Sequence, residues 1–143
     1  MNYEIIQPSE GIEYKWSSDH IFVKSVGQLA DGRVSMVEDT MQPGFHLGRH
    51  HHKKMTEIFY ILEGELTLIF DDKTVVATAG TTVNIPPNVW HEAKSENGAR
   101  MLSIFSPAGF EDYLATLKTM SDAQFADEVF MRALNEKYDI WNA

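Results

Sequence analysis

Gly44-Phe45-His46-Leu47-Gly48-Arg49-His50-His51-His52-Lys53-Lys54-Met55-Thr56-Glu57 is the stretch on which the reading of this chain turns. On a β-strand, side chains two apart share a face, so His50 and His52 aim together while His51 points away. Lys53 to Thr56 reads as a loop, after which Glu57 enters a new strand in the same parity as Phe59 and Ile61. A carboxylate on a face that also carries apolar residues needs a partner. Two imidazoles and a cation supply one. The bland alternative for Arg49 to Lys54 is a solvated basic loop; being internal, the run is not an expression tag.

Outward from this stretch the chain is strand-like. Runs at Arg33–Glu38, Glu57–Leu62, Glu65–Phe70, Thr74–Thr78, Thr82–Ile85 and Arg100–Phe105 alternate in polarity. Turn signals separate them at Pro43-Gly44, Glu63-Gly64, Asp71-Asp72, Ala79-Gly80, Pro86-Pro87-Asn88 and Asn97-Gly98. Many short strands with close-spaced turns argue for an all-β sandwich or barrel, here over about Ile21–Phe105. After Pro107 the period becomes helical. Phe110, Tyr113, Leu114 and Leu117 fall on one face, and Ser121 with Gln124 forms a capping box for a second helix. That helix would turn Ala126, Val129, Phe130, Ala133, Leu134 and Tyr138 toward the barrel or a partner subunit, and Asp127, Glu128, Arg132 and Glu136 toward solvent.

Composition narrows the functional classes. A chain of 143 residues fits one compact domain, 1–143. Lys and Arg total 12 against 21 Asp and Glu, so a net charge of −9 gives no electrostatic reason to bind nucleic acid or an anionic membrane. The chain has no cysteine, which removes disulfides, thiolate nucleophiles and Cys-ligated zinc. Neither a signal peptide nor an apolar run near the ~18 residues of a membrane span is present. A cytoplasmic location is the default expectation.

The fourth ligand candidate is His91, at the end of the Pro86-Pro87-Asn88 turn. Spacing alone does not show that it meets the other three. The arrangement, however, resembles the cupin family. The pattern G-x5-H-x-H-x3 or 4-E-x6-G falls on Gly44, His50, His52, Glu57 and Gly64 with every spacing kept. The second pattern, G-x5-P-x-G-x2-H-x3-N, falls on Gly80, Pro86 and His91, with Asn88 at its second glycine and Ser95 at its final asparagine. Asn tolerates φ > 0 better than other non-glycine residues, so Asn88 keeps the turn.

The resemblance implies a single jelly-roll-like cupin β-barrel with a short α-helical tail, at about 108–140. It also implies one divalent transition metal (Fe, Mn, Ni, Co, Cu or Zn) held by His50, His52, Glu57 and His91. Such N/O donor sets suit those ions, and four protein ligands around a six-coordinate metal leave two open positions for substrate, water or dioxygen. The short barrel with its helical tail resembles the "cupin 2" or quercetinase-like type. The leading expectation is a dioxygenase acting on a small enolic or phenolic substrate, flavonol-like or diketone-like. Glu57 either stays coordinated or takes the substrate hydroxyl proton as general base. The rivals are a metal-dependent isomerase, cyclase or lyase without dioxygen, and a non-catalytic small-molecule binding barrel. Phe59, Ile61, Met36, Val83 and Phe105 are the candidates for an apolar pocket wall. His46 is a candidate for a pocket role, His20 for a surface or strand-edge position, and Trp90 for core or rim packing. A homodimer is expected, with the N-terminal and tail segments supplying the interface.

Overall fold

Thr56–Phe70 alternates in polarity for most of its length and folds as one strand of 15 residues, around which the architecture is arranged. The computed structural model describes residues 3–143. In chain order the elements are β1 Ile12–Lys15, β2 Asp19–Ser25, β3 Ser35–Met41, β4 Phe45–His51, β5 Thr56–Phe70, β6 Thr74–Thr78, β7 Thr82–Ile85, β8 His91–Ser95 and β9 Ala99–Ser106. Helices α1 Phe110–Lys118, α2 Asp122–Ala126 and α3 Glu128–Lys137 follow, and β10 Trp141–Asn142 closes the chain. The strands order as β1-β2-β3-β9-β5-β8-β4-β10 with antiparallel pairings, and β6 and β7 flank β5. The sheet turns over along β5. Its first half pairs with β7 and β9, its second half with β6 and β8. The result is the expected all-β, jelly-roll-like barrel with a helical tail.

Glu63-Gly64, read from sequence as a turn between two strands, is instead the bend inside β5. Register with β9 shifts between Ile61 and Glu63, and Gly64 takes φ +74°. A Cβ built on Gly64 would stand 2.5 Å from the Gly98 carbonyl oxygen, so glycine here permits close approach of two backbones. The barrel also starts earlier than expected, because β1 pairs with β2 from Ile12, ahead of the Ile21 boundary.

Alternation sets what faces inward. On β3, Ser35, Val37, Asp39 and Met41 are buried while Met36 lies half-exposed on the opposite face, so Met36 does not belong to the inner wall. Phe59, Ile61, Leu66 and Leu68 of β5 join Met41 and Met101 in one apolar cluster. Phe105, Val23 and Val37 meet Leu114 of α1 in a second. Glu111 fixes α1 to the barrel by accepting from the amides of Gly27 at 2.8 Å and Gly109 at 3.0 Å.

The tail helix is split in two. The Ser121–Gln124 capping box forms as expected, but α2 ends at Ala126, and Asp127 then caps α3 by accepting from the Phe130 amide. The break re-aims the apolar stripe. Leu134 is buried, whereas Val129 is 81% exposed and Phe130 37%. Among the described residues, no helix is long and apolar enough to cross a membrane.

Candidate metal centre

His50 sits near the end of β4 opposite His91, the first residue of β8. His52 lies just past β4, and Glu57 is the second residue of β5. The alternation read from sequence holds: His50 and His52 are 3% exposed, while His51 lies against the Trp90 ring at 4.3 Å between centroids. Arg49 covers the same indole, so Trp90 packs at the outside of the site. His91 is fully buried, and its ring stands 4.3 Å from that of His50 and 5.6 Å from that of His52. One donor atom from each of His50, His52, Glu57 and His91 lies within 4.8 Å of the others. The structure therefore brings all four expected residues together.

Backbone carbonyls orient the three rings. Nδ1 of His50 donates to Gly48 O at 2.8 Å, Nδ1 of His52 to Asp139 O at 2.7 Å, and Nδ1 of His91 to Val89 O at 2.9 Å. A carbonyl only accepts, so each Nδ1 carries its proton and each Nε2 is the nitrogen turned to the cluster. His52 Nε2 stands 3.1 Å from Glu57 Oε2, a hydrogen bond it makes only as imidazolium, with both ring nitrogens protonated. His91 Nε2 stands 3.3 Å from the same oxygen but outside hydrogen-bond geometry, and is left without a partner. An orphaned, buried imidazole nitrogen facing a buried carboxylate is what a cation would complete. The donor set fits a divalent transition metal, and the four residues could hold one.

The metal-free electrostatics are those of a compressed cluster. Burial, then the charge of His91, pushes His50 down to about 4. Burial opposes charge on His52 as well, but the Glu57 carboxylate outweighs it and raises His52. Burial would raise the Glu57 carboxyl; the hydrogen bond from His52 and the adjacent His91 hold it down, to about 2. Glu57 is thus an anion in a nearly dry site.

Residues absent from the sequence reading complete the surroundings. Asp139 takes φ +62°, aims its carbonyl at His52, and accepts with its carboxylate from the amides of Lys53, Lys54 and Met55 at 2.8, 2.9 and 2.8 Å. Its only sequence signal is an Asp after the last helix, at a separation of more than 80 residues from the loop it holds. Beside it β10 pairs with β4, Trp141 opposite His51 and Asn142 opposite His50. Asn88 keeps the second motif's turn at φ +68°, and its amide donates to His52 O at 2.6 Å. Ser95 is buried and donates to Glu65 O, away from the donor atoms.

The cluster opens into a cavity of about 490 Å³. Phe59 and Phe105 line it as expected, whereas Ile61 is fully buried in the core and Val83 packs behind it. Phe110, Leu114, Phe125 and Ile140 bring the helical tail into the wall. His46 reaches the rim, where it pairs with Glu92 at 2.8 Å, and His20 pairs with Glu13 on the surface.

Residues 37–105 match the model of the cupin domain family. This is a small cupin. Among curated proteins the cupin is similar to quercetin 2,3-dioxygenase of Bacillus subtilis, 28% identical over 88 residues. That match covers 61% of this chain and 26% of the relative, so the cupin spans about a quarter of that protein's length. Among solved structures it is similar to KdgF from a Halomonas species, with TM-score 0.67 and 14% identity over 76% of this chain and 99% of that one. It is also similar to the polyketide cyclase RemF from Streptomyces resistomycificus, with TM-score 0.65 and 16% identity over 73% and 80%. At such identities the two structures show the fold alone.

Proposed function

We propose that this cupin holds one divalent transition metal through His50, His52, Glu57 and His91 and acts as a dioxygenase on a small enolic or phenolic substrate. The observation that carries the metal reading is the convergence of three Nε2 atoms, each set by an Nδ1–H···O=C bond, on one buried carboxylate. The likeness to a quercetin 2,3-dioxygenase supports the choice of reaction and of flavonol-like or diketone-like substrates. When bound, the metal would supply Lewis acidity toward a substrate hydroxyl and a path for the substrate's own electrons to dioxygen.

The chain's own residues do the rest. Both histidine contacts of Glu57 use Oε2, which leaves Oε1 to take the hydroxyl proton as general base. Phe59 and Phe105 present apolar surface beside the cluster, so an aromatic or enolic ring lies there with little competing water. The hydrogen bond from His52 to the tail keeps the donor set rigid as the proton moves. Exposed Val129 and Phe130 on α3 support a homodimer, which sedimentation giving a monomer mass would remove.

The experiment is reconstitution of metal-free protein separately with Fe(II), Mn(II), Co(II), Ni(II), Cu(II) and Zn(II), with oxygen uptake followed over flavonols, diketones and catechols. Oxygen consumption in step with substrate loss is expected for at least one metal. Turnover unchanged under strict anaerobiosis would replace the dioxygenase with a metal-dependent isomerase, cyclase or lyase. Binding without turnover for every metal would leave a binding barrel.

A further inference from the structure

The cavity has a second polar end that the histidine–glutamate cluster does not use. Across β5, β9 and β3 the inner residues form rungs: Glu57–Phe105–Ser35, then Phe59–Ser103–Val37, then Ile61–Met101–Asp39. Asp39 therefore stands four residues beyond the Glu57 rung, ~13 Å along the strand direction. Across the β2–β3 pairing, Ile21 faces Asp39 and Asp19 faces Met41. The two carboxyl groups thus sit diagonally on one inner face, at a separation that side chains span. Asp39 is 7% exposed and Asp19 9%, and both line the cavity that contains Glu57. Ser18 Oγ donates to Asp19 Oδ1 at 2.9 Å, whereas Asp39 Oδ1 has no partner.

Among the described residues, no cation from the packed elements answers this pair. Arg100 of β9 binds Glu38 and Glu63 on the outer face. Lys24 of β2 donates to the carbonyls of Gln7 and Glu10, and His20 is held by Glu13. His46, the lining histidine outside the cluster, is paired with Glu92 at the rim. None of the residues lining the cavity is Lys or Arg. Two adjacent buried carboxylates do not both stay ionised. Burial first, then the charge of Asp19, pushes Asp39 up to about 9. At neutral pH the pair keeps a proton and still lacks a donor for Asp39 Oδ1.

We infer that Asp19 and Asp39 form a second recognition pole, which binds a hydroxyl group at the far end of an uncharged ligand and rejects an anionic one. A hydroxyl donates to the unpartnered oxygen, while the retained proton bridges the two carboxyls. A carboxylate or phosphate offers only acceptors and brings like charge into a site with no basic side chain. Phe59, Val37 and Phe105 lie between the poles, so the ligand is apolar in its middle and oxygen-bearing at both ends. The inference rests on the proposed function only in setting the ligand's other end at the metal cluster.

The test uses the full-length protein loaded with Co(II), titrated by calorimetry with phenol, benzylamine and benzoate. The 13C shift of the Asp39 carboxyl shows whether binding reaches the pole. Phenol is expected to bind saturably and move that resonance, benzoate to leave it unmoved, and Asp39→Asn to weaken phenol roughly ten-fold. Benzoate moving the Asp39 resonance as phenol does, phenol binding without moving it, benzylamine binding more tightly than phenol, or no saturable binding by any of the three overturns the inference. Should Asp39→Asn not fold, Asp19→Asn gives the same comparison. An infrared C=O band of a protonated carboxyl at neutral pH is expected in the wild type, and its absence also overturns the inference. The Co(II) absorption spectrum of the same samples reports on the cluster separately. Protein that binds no Co(II) yet prefers phenol to benzoate would remove the metal reading and leave the second pole standing.

Discussion

Replacing Asp139 with Ala should loosen both the fold and the candidate metal centre, and the structure gives a size for each effect. The carboxylate accepts from three consecutive amides, of which those of Lys53 and Lys54 are exposed and that of Met55 is part-buried. Water replaces the acceptor at the first two positions, so the part-buried bonds from the Met55 amide and the Trp141 indole are the ones lost, at ~0.5–1.5 kcal/mol each because water reaches part of both. Asp139 also stands at φ +62°, where Ala is less at ease than Asp by ~1 kcal/mol. The total is ~2–4 kcal/mol. Unfolding entropy scales with chain length, so Tm should fall by about 6–12 °C. Asp139→Asn keeps one acceptor oxygen and a tolerance for positive φ, so its loss should be under half of that. Because the same residue's carbonyl accepts from His52 Nδ1, Co(II) affinity should fall by roughly 10–100-fold in the Ala variant. Thermal melts of metal-free protein and chelator competition with Co(II) measure the two quantities independently. A melt lowered as expected with an unchanged Co(II) affinity would refute the coupling, and the tail would then be a brace for the loop without influence on His52.

Three further outcomes follow from single residues. His91→Ala removes a fully buried donor and should weaken Co(II) by at least about ten-fold while changing its absorption spectrum; an unchanged spectrum would exclude His91 from the metal. Asp39 holds its proton up to about pH 9 when folded but releases it near 4 when unfolded. Its contribution to stability is therefore complete below pH 4 and is lost as pH rises toward 9, with a slope of at most ~1.4 kcal/mol per pH unit. Asp39→Asn should flatten urea-measured stability across that window, and an unaltered slope would contradict it. Gly64→Ala places a Cβ 2.5 Å from the Gly98 carbonyl at φ +74° and should cost about 2 kcal/mol or more in a denaturant melt, against no change if the bend in β5 can relax.

The parts of this molecule that its sequence discloses are those set by local periodicity. His50, His52 and Glu57 lie within eight residues, and the two-residue repeat sets the two histidines on one face of one strand and Glu57 on the apolar face of the next. His91 lies 34 residues beyond Glu57, and only the motif spacing brought it to the others before the β4–β8 register did so. Each failure has a physical reason. The bend at Gly64 carries the signal of a turn because both need a glycine, and only the backbone of Gly98 against it decides that β5 continues. The tail helix splits because Asp127 prefers to cap Phe130 over extending the helix, a competition that the apolar stripe conceals. Asp39 lies just past the expected strand Arg33–Glu38, and its meaning waits on the longer β3 and on the register that sets Asp19 diagonal to it. Asp139 had no usable signal, because its partners are amides, which any residue supplies. A metal motif is thus readable because its chemistry is in its side chains. The supports that orient it, Gly48, Val89 and Asp139 through their carbonyls, are backbone and carry no residue-type signature. This is why the candidate metal centre can be read before the fold while the positioning of its residues cannot.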